Sequence, residues 1–179
     1  MSHVFNGIQI NLSWVPADLN SIPENAIKVD DKVFVIRLTR ADGTKIGSSM
    51  SSLAVIPWND KFSILTYGGF EVLTYTGISE FGENYKWTKC VNGEVPVRKN
   101  AVLGGITDAN DVMYVIKAPL VYDIADGGKK VIYSAGSLVE GANCATIPVL
   151  FSSSSPNDWP CVKVTEYEVL CFKNARCHY

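Results

Sequence analysis

Histidine and cysteine are the side chains of this 179-residue sequence with the greatest capacity for catalysis or metal binding. Both histidines, His3 and His178, stand close to a terminus, where a chain is rarely held firmly enough for a Ser-His-Asp or Cys-His arrangement. No two of the five cysteines have the CxxC spacing that structural zinc sites use. We therefore expect no catalytic centre, no metal site and no cofactor, and a protein that binds rather than catalyses.

The cysteines and the N-terminal sequence together indicate a reducing compartment. The segment Met1–Asn6 has neither the basic start nor the continuous apolar stretch of a secretory signal. We therefore expect a cytoplasmic protein with free thiols, because reducing compartments disfavour disulfides. A disulfide among the cysteines and secretion by a non-classical route stay open. All five lie in the second half of the sequence, at Cys90, Cys144, Cys161, Cys171 and Cys177.

Composition and charge exclude two classes of partner. The sequence has 16 Lys and Arg against 18 Asp and Glu, a net charge of -2, and the charges are dispersed. A protein that binds nucleic acid needs a basic patch to neutralise phosphates, and none is visible. No window approaches the roughly 20 apolar residues that span a bilayer. We expect neither nucleic acid nor a membrane span.

The sequence repeats itself in order. Trp14 and Trp87 are separated by 73 residues, as are Pro23 and Pro96. Further matches follow with offsets that grow only in loop-like stretches, as insertions between copies of one unit should. The sequence therefore predicts two diverged copies of one unit. The further matches are Asn25-Ala26-Ile27 with Asn100-Ala101-Val102, Val33–Arg37 with Val112–Lys117, Asp42-Gly43 with Asp126-Gly127, Ile56-Pro57 with Ile147-Pro148, and Phe70–Leu73 with Tyr167–Leu170.

Both copies have the pattern of antiparallel β structure. Short β-branched and aromatic runs alternate with Gly and Asp turns, and residues 161–170 have the alternation of one half-solvated strand. A unit of about 65 residues buries too little surface to fold alone. We predict an all-β protein of two tandem antiparallel units, related by a pseudo-twofold axis and interlocked in one compact domain. The predicted segments are an extension (1–13), the first repeat (14–75), a linker (76–86), the second repeat (87–171) and a tail (172–179).

Three tryptophans have alternative interpretations. Trp14 and Trp87 should occupy equivalent places, as core or lid residues or, alternatively, as platforms for a sugar ring. Trp159 follows a Ser-rich run at Ser152–Ser155 that reads as a loop peculiar to the second copy. On such a loop Trp159 could contact a ligand or a partner, or remain structural.

The repeated residues resemble the DM-nine repeat family from about Trp14 to Leu170. The resemblance rests on a Trp, an Ile/Val-Pro step, an Asn-Ala-Ile/Val motif, a Phe/Tyr-Val strand and a closing Glu-Val-Leu. It implies interlocked β units and a binding function, because characterised mollusc members are mannose-binding lectins and others are linked to pathogen responses. In those lectins an Asp after the Asn-Ala-Ile motif and the Lys of a Pro-Gly-Lys motif bind the sugar.

The implied sugar site is incomplete in the first copy. Ile46-Gly47-Ser48 is the counterpart of Pro-Gly-Lys there, with Ser48 in place of the lysine, whereas Gly127-Gly128-Lys129 keeps a Gly-Lys step in the second copy. A carboxylate and an ammonium can together clamp a vicinal diol, since one accepts and the other donates hydrogen bonds. Turn and surface charge is the alternative interpretation of all the candidates. These are Asp30, Asp31 and Lys45 in the first copy and Asp108, Asp111, Lys129 and Lys130 in the second, which is the better candidate.

Two functions follow as hypotheses. The first is a non-enzymatic lectin for mannose-type glycans that acts in innate immune recognition of microbes. Such a lectin would be bivalent if both copies keep a site, and a homodimer would add avidity. The second is an intracellular interaction or scaffold protein that has lost the sugar site, which the replacement by Ser48 supports.

Overall fold

A computed structural model describes residues 10–50, 52–59, 62–96, 98–151 and 159–173. His3, His178, Cys177 and the serine run at Ser152–Ser155 lie outside these ranges. The predictions made for those residues therefore stay predictions.

The chain is built almost entirely of strands, as the alternation of apolar and polar residues predicts. The first repeat contains β1 (Leu12–Asp18), β2 (Lys28–Asp30), β3 (Val33–Arg40), β4 (Gly43–Met50), β5 (Leu53–Pro57), β6 (Phe62–Thr66) and β7 (Gly68–Tyr75). After the short helix α1 (Phe81–Asn84), the second repeat contains β8 (Tyr85–Val91), β9 (Leu103–Ile106), β10 (Val112–Asp123), β11 (Lys129–Val139), β12 (Ala145–Pro148), β13 (Trp159–Val164) and β14 (Glu166–Phe172). The helix falls inside the segment predicted as a linker.

The order of strands in the sheet shows the duplication directly. The order is β1-β7-β3-β4-β5-β6-β13-β12-β11-β10-β14-β8, with β2 paired to β3 and β9 paired to β10. Read inwards from one edge, the first repeat has the order β1-β7-β3-β4-β5-β6. Read inwards from the other edge, the second repeat has the order β8-β14-β10-β11-β12-β13, in which every strand number is higher by seven. The two halves meet where β6 pairs antiparallel with β13. A pseudo-twofold axis therefore passes between β6 and β13, which confirms the predicted all-β duplication.

The register is the same in both repeats. Trp14 of β1 lies opposite Leu73 of β7, and Trp87 of β8 lies opposite Leu170 of β14. A slip of one residue would turn the core face outward, so an identical register preserves the same buried positions twice. The registers extend the sequence matches to every strand and give the residue equivalences used below.

One hydrophobic cluster belongs to both repeats at once. Each buried Val, Leu or Ile contributes roughly 1.5–3 kcal/mol of transfer free energy. A cluster drawn from both repeats therefore makes each one depend on the other for its interior. Its members include Val35, Ile46, Val55 and Leu73 from the first repeat and Val102, Val115, Ile132 and Leu170 from the second, while each repeat adds an outer cluster of its own.

The repeats are interlocked through β2 and β9, the strands outside the main order. A carboxylate oxygen of Asp30 in β2 accepts a hydrogen bond from the Tyr133 amide of β11, at 2.7 Å. At the equivalent place β9 packs on β4, where Gly104 lies so close to Ile46 that a methyl group would overlap it. A side chain at position 104 would have to displace the end of Ile46, so the small size of glycine favours the close packing of the repeats there.

Two local predictions need correction, and one hairpin is longer in the second repeat than in the first. Residues 161–170 do not form one strand, because the chain bends at Thr165 between β13 and β14. The first repeat has glycine at the equivalent corner, and its absence in the second copy hid the bend. The β10–β11 hairpin also continues three residue pairs beyond the position where β3–β4 ends, to the pair Asp123 and Lys129. Trp159 is not on a loop: it begins β13, is buried, and pairs with Ser63 where the repeats join.

Candidate functional site: a groove between the repeats

A small groove opens between the two repeats on one side of the pseudo-twofold axis. We call it the inter-repeat groove. Its volume is about 120 Å³, below the roughly 300–1,000 Å³ typical of sites for drug-sized ligands. It suits the edge of one monosaccharide rather than a long chain. The first repeat contributes Lys45, Ile46, Pro57, Trp58 and Asn59, and the second contributes Thr107, Met113, Ser137, Val139, Thr146 and Lys163.

The second repeat supplies a polar row to this groove. Ser137 of β11 lies opposite Thr146 of β12, and Thr146 lies opposite Lys163 of β13. Residues directly opposite in antiparallel strands project to the same face, so the two hydroxyls and the ammonium form one row. Hydroxyls both donate and accept hydrogen bonds, and an ammonium donates up to three. The row can therefore bind the hydroxyls of a sugar.

The first repeat supplies a cation and an aromatic surface. Lys45 of β4 is half-buried, and among the described residues its ammonium has no hydrogen-bond or ion-pair partner. Trp58 follows β5, and the Arg40 guanidinium lies over its ring, 4.6 Å from the ring centroid. An indole presents an apolar surface to the C–H groups of a sugar ring.

The equivalent place on the other side of the axis is closed. Ser48 and Ser134 stand there at the positions of Ser137 and Lys45, and their hydroxyl oxygens are 3.2 Å apart. The Ala135 amide donates a 2.7 Å hydrogen bond to Ser48, and both serines are fully buried. In the second repeat Ser137 lies opposite the polar Thr146, whereas in the first repeat Ser48 lies opposite Val55, which is apolar and buried. One of two pseudo-equivalent places is therefore an open groove.

A second duplicated feature is a cluster of tryptophan, cation and carboxylate on the sheet. In the first repeat the Arg37 guanidinium lies 4.5 Å from the Trp14 ring and forms a 2.6 Å ion pair with Glu71. Arg37 also donates a 3.3 Å hydrogen bond to the Gly104 carbonyl of the other repeat. Since the Arg37 guanidinium binds both Glu71 and the Gly104 carbonyl, this cluster links neighbouring strands and the two repeats.

The second repeat contains the same cluster with lysine as the cation. The Lys117 ammonium lies 5.1 Å from the Trp87 ring, 4.6 Å from the Tyr133 ring and 3.7 Å from a Glu168 oxygen. Shallow surface grooves of about 570 and 240 Å³ run beside the two clusters. The sequence matches aligned these residues, yet only their identical strand register shows that each set meets on one face.

Among the residues predicted to bind sugar, Lys45 lines the inter-repeat groove. Asp30 is used within the protein, since its carboxylate accepts hydrogen bonds from the Tyr133 and Asp31 amides, each at 2.7 Å. Asp31 is exposed beside it. The register places Gly105 of the second repeat at the position of Asp30, so the carboxylate is not duplicated.

Asp108 and Asp111 lie in the turn between β9 and β10, where both are exposed. Thr107 closes this turn, since its amide donates to the Asp111 carbonyl at 2.9 Å and its hydroxyl accepts from the Asp111 amide at 3.1 Å. Thr107 also pairs with Gly43 of the first repeat. The turn therefore borders the inter-repeat groove, and Thr107 is the residue of the turn that lines it.

Lys129 and Lys130 lie at the opposite end of β10 from Asp111. They begin β11, with Lys129 opposite Asp123 at the far end of the extended hairpin. The twelve residues of β10 span on the order of 35 Å, so Asp111 and Lys129 do not share a pocket. The register shows that Ser137, rather than either lysine, takes the position of Ser48. In both repeats a serine thus stands at the position that the resemblance assigns to the sugar-binding lysine.

The described cysteines form no disulfides, and burial lowers the reactivity of two of them. These cysteines are Cys90, Cys144, Cys161 and Cys171. Burial, with a smaller contribution from Cys171, raises the pKa of Cys90 to about 11. Burial also raises the pKa of Cys171. A thiol is nucleophilic only as thiolate, so neither of these two side chains is activated near neutral pH.

The fold and the groove define a tandem-repeat β protein with an open groove between its repeats. The DM9 repeat family model matches residues 28–148, about two-thirds of the chain. The chain therefore belongs to the DM9 repeat family, as the sequence motifs indicated. No curated protein matches the chain. Within the described residues, no helix is long and apolar enough to cross a membrane.

Proposed function

We propose that this protein is a non-enzymatic carbohydrate-binding protein whose site is the inter-repeat groove. The observation that carries the proposal is that Lys45, which has no ion-pair partner among the described residues, meets the Trp58 ring and the hydroxyls of Ser137 and Thr146 in one groove. Charged and hydroxyl groups bind sugar hydroxyls, and the indole covers the apolar face of the ring.

Family membership supports the same function. Carbohydrate binding and lectin-like roles are known in the DM9 family. The groove contains Ser137, which stands where the resemblance assigns a sugar-binding lysine in the second repeat. Mannose-type glycans, and microbial surfaces that display them, are the first ligands to test. Loss of the sugar site, leaving an interaction protein, is the competing function, and it is supported by the serine at both lysine positions.

Calorimetric titration with sugars chosen from a glycan array tests the proposal. We expect saturable binding that is weakened at least about tenfold, or by about 1.4 kcal/mol, in Trp58→Ala. Phe151→Ala is the matched control, because Phe151 is an exposed aromatic residue that does not line the groove. An array without signal, or equal weakening by both variants, would contradict the proposed site, and a protein partner recovered without any glycan signal would favour the competing function.

A further inference from the structure

The inter-repeat groove is lined by charged residues from both repeats. Of the described residues that line it, Lys45 and Lys163 are positive and none is negative. A third cation, Arg40, lies over the Trp58 ring beside them. The remaining lining residues are uncharged. Unlike Arg37 and Lys117, each of which forms an ion pair with a glutamate, Lys45 has no such partner among the described residues.

A cation without a partner in a partly buried place has a cost that an anionic ligand removes. Lys45 is half-buried, and no described residue pairs with its ammonium. Water solvates such a charge less well than at the open surface, and a carboxylate or sulfate beside it gains a charge-assisted hydrogen bond. A neutral hexose offers only hydroxyl oxygens, which are weaker acceptors for an ammonium.

None of the described residues that line the groove is a carboxylate that would orient a neutral diol. Asp30 is bound to the Tyr133 amide, and Gly105 takes its place in the second repeat. Asp108 adjoins the groove through Thr107 but is exposed and outside the lining. The groove can therefore supply donors and hydroxyls to a ligand, but among the described lining residues it supplies no anionic acceptor.

From this arrangement we propose that the groove selects acidic sugars, meaning hexoses that carry a carboxylate or sulfate, over their neutral counterparts. The inference rests on the proposed carbohydrate function and specifies its ligand class. The carboxylate of a uronic acid pairs with Lys45, its hydroxyls bind the row of Ser137 and Thr146, and its apolar face lies along Trp58. Lys163 lies at the end of this row, opposite Thr146.

The test compares glucuronate with its methyl ester, which keeps the ring and hydroxyls and removes the charge. Calorimetry on the full chain should give glucuronate at least about tenfold tighter binding than the ester, equivalent to about 1.4 kcal/mol. Raising the salt from about 0.01 M to about 1 M shortens the Debye length from about 30 Å to about 3 Å. The preference should shrink accordingly.

Substitutions of the groove lysines test which side chains cause the preference for glucuronate over its ester. Lys45→Gln should bring glucuronate to the affinity of the ester while the ester still binds, and Lys163→Gln should reduce the preference in part. Lys86→Gln is the matched control, because Lys86 is an exposed lysine on β8 and does not line the groove. Thermal unfolding of each variant verifies the fold.

Each outcome is decisive. Tighter binding of glucuronate that Lys45→Gln abolishes supports the inference. Equal binding of acid and ester, or a preference that survives both groove substitutions, overturns it and leaves the carbohydrate function standing. If neither compound binds and the array is silent for neutral and acidic glycans alike, both proposals fail.

Discussion

The hydroxyl oxygens of Ser48 and Ser134 lie 3.2 Å apart. The pseudo-twofold axis relates these two serines to Ser137 and Lys45 of the inter-repeat groove. A short pair of serines lets the strands close on each other and bury both side chains. A lysine cannot be enclosed in that way without a partner, so its side keeps an opening to solvent. The backbones of the two repeats are thus related by the pseudo-twofold axis, whereas the side chains that meet between the repeats differ on the two sides of that axis.

This asymmetry predicts one sugar site in each chain. Because the place around Ser48 is filled, calorimetric titration should give a stoichiometry of one ligand per chain. Ultracentrifugation of the same sample gives the number of chains per particle. Two ligands per chain would show that the closed side also binds.

Ser48 should be important for stability and Ser137 should not. Ser48→Ala leaves the buried Ala135 amide without its 2.7 Å acceptor, which we expect to cost about 1–3 kcal/mol. Ser137→Ala, at the equivalent and half-exposed position, should stay within about 0.5 kcal/mol. Urea denaturation of the two variants measures the difference. Equal effects would mean that the Ser48 hydrogen bond does not stabilise the contact between the repeats.

Arg37 should stabilise the fold through several contacts at once. Arg37→Met removes the ion pair with Glu71, the contact with Trp14 and the hydrogen bond to Gly104, for a loss of about 1.5–3 kcal/mol. Arg98→Met is the control, because Arg98 pairs with Glu140 at the surface and such pairs contribute about 0–1 kcal/mol. A similar midpoint of urea unfolding for both variants would contradict the clamp.

Asp30 should act as a structural residue rather than as a sugar ligand. Asp30→Ala removes the acceptor of the Tyr133 amide and should lower the free energy of unfolding by about 1–3 kcal/mol. The affinity of the folded variant for sugar should remain within about threefold, or about 0.65 kcal/mol. Asp31→Ala, at the exposed neighbour, should change neither quantity. Loss of affinity without loss of stability in Asp30→Ala would return this carboxylate to the binding site.

Thiol reactivity should follow burial. Cys90 has a pKa of about 11 and Cys171 also has a raised pKa, so near neutral pH both are thiols in the folded protein. Burial raises these pKa values above those of the unfolded chain. The corresponding stability is therefore present below the unfolded pKa and decreases as the pH rises towards the folded value. Near neutral pH, iodoacetamide with peptide mass spectrometry should modify the half-exposed Cys144 before Cys90 and Cys171. Early modification of Cys90 would contradict the buried placement.

The sequence predicted the duplicated β fold because repetition and alternation are local patterns. Matches such as Trp14 with Trp87 survive divergence, since each fills the same place against Leu73 or Leu170. Insertions lie in loops or at the extended tip of the β10–β11 hairpin, so the ordered matches also indicated where the shared strands lie. The bend at Thr165 was missed because the second copy has no glycine at that corner.

The binding groove depends on contacts that the sequence does not encode locally. Lys45 and Lys163 come together only through the packing of one repeat on the other, over a separation of more than a hundred residues. The sequence drew attention to Gly128-Lys129, whereas the register of β10 and β11 assigns that position to Gly136-Ser137. The amino-acid pattern thus determined that there are two copies of one β unit. Tertiary packing decided which of the two equivalent places is filled and which is open, because a filled place needs side chains from both repeats to match.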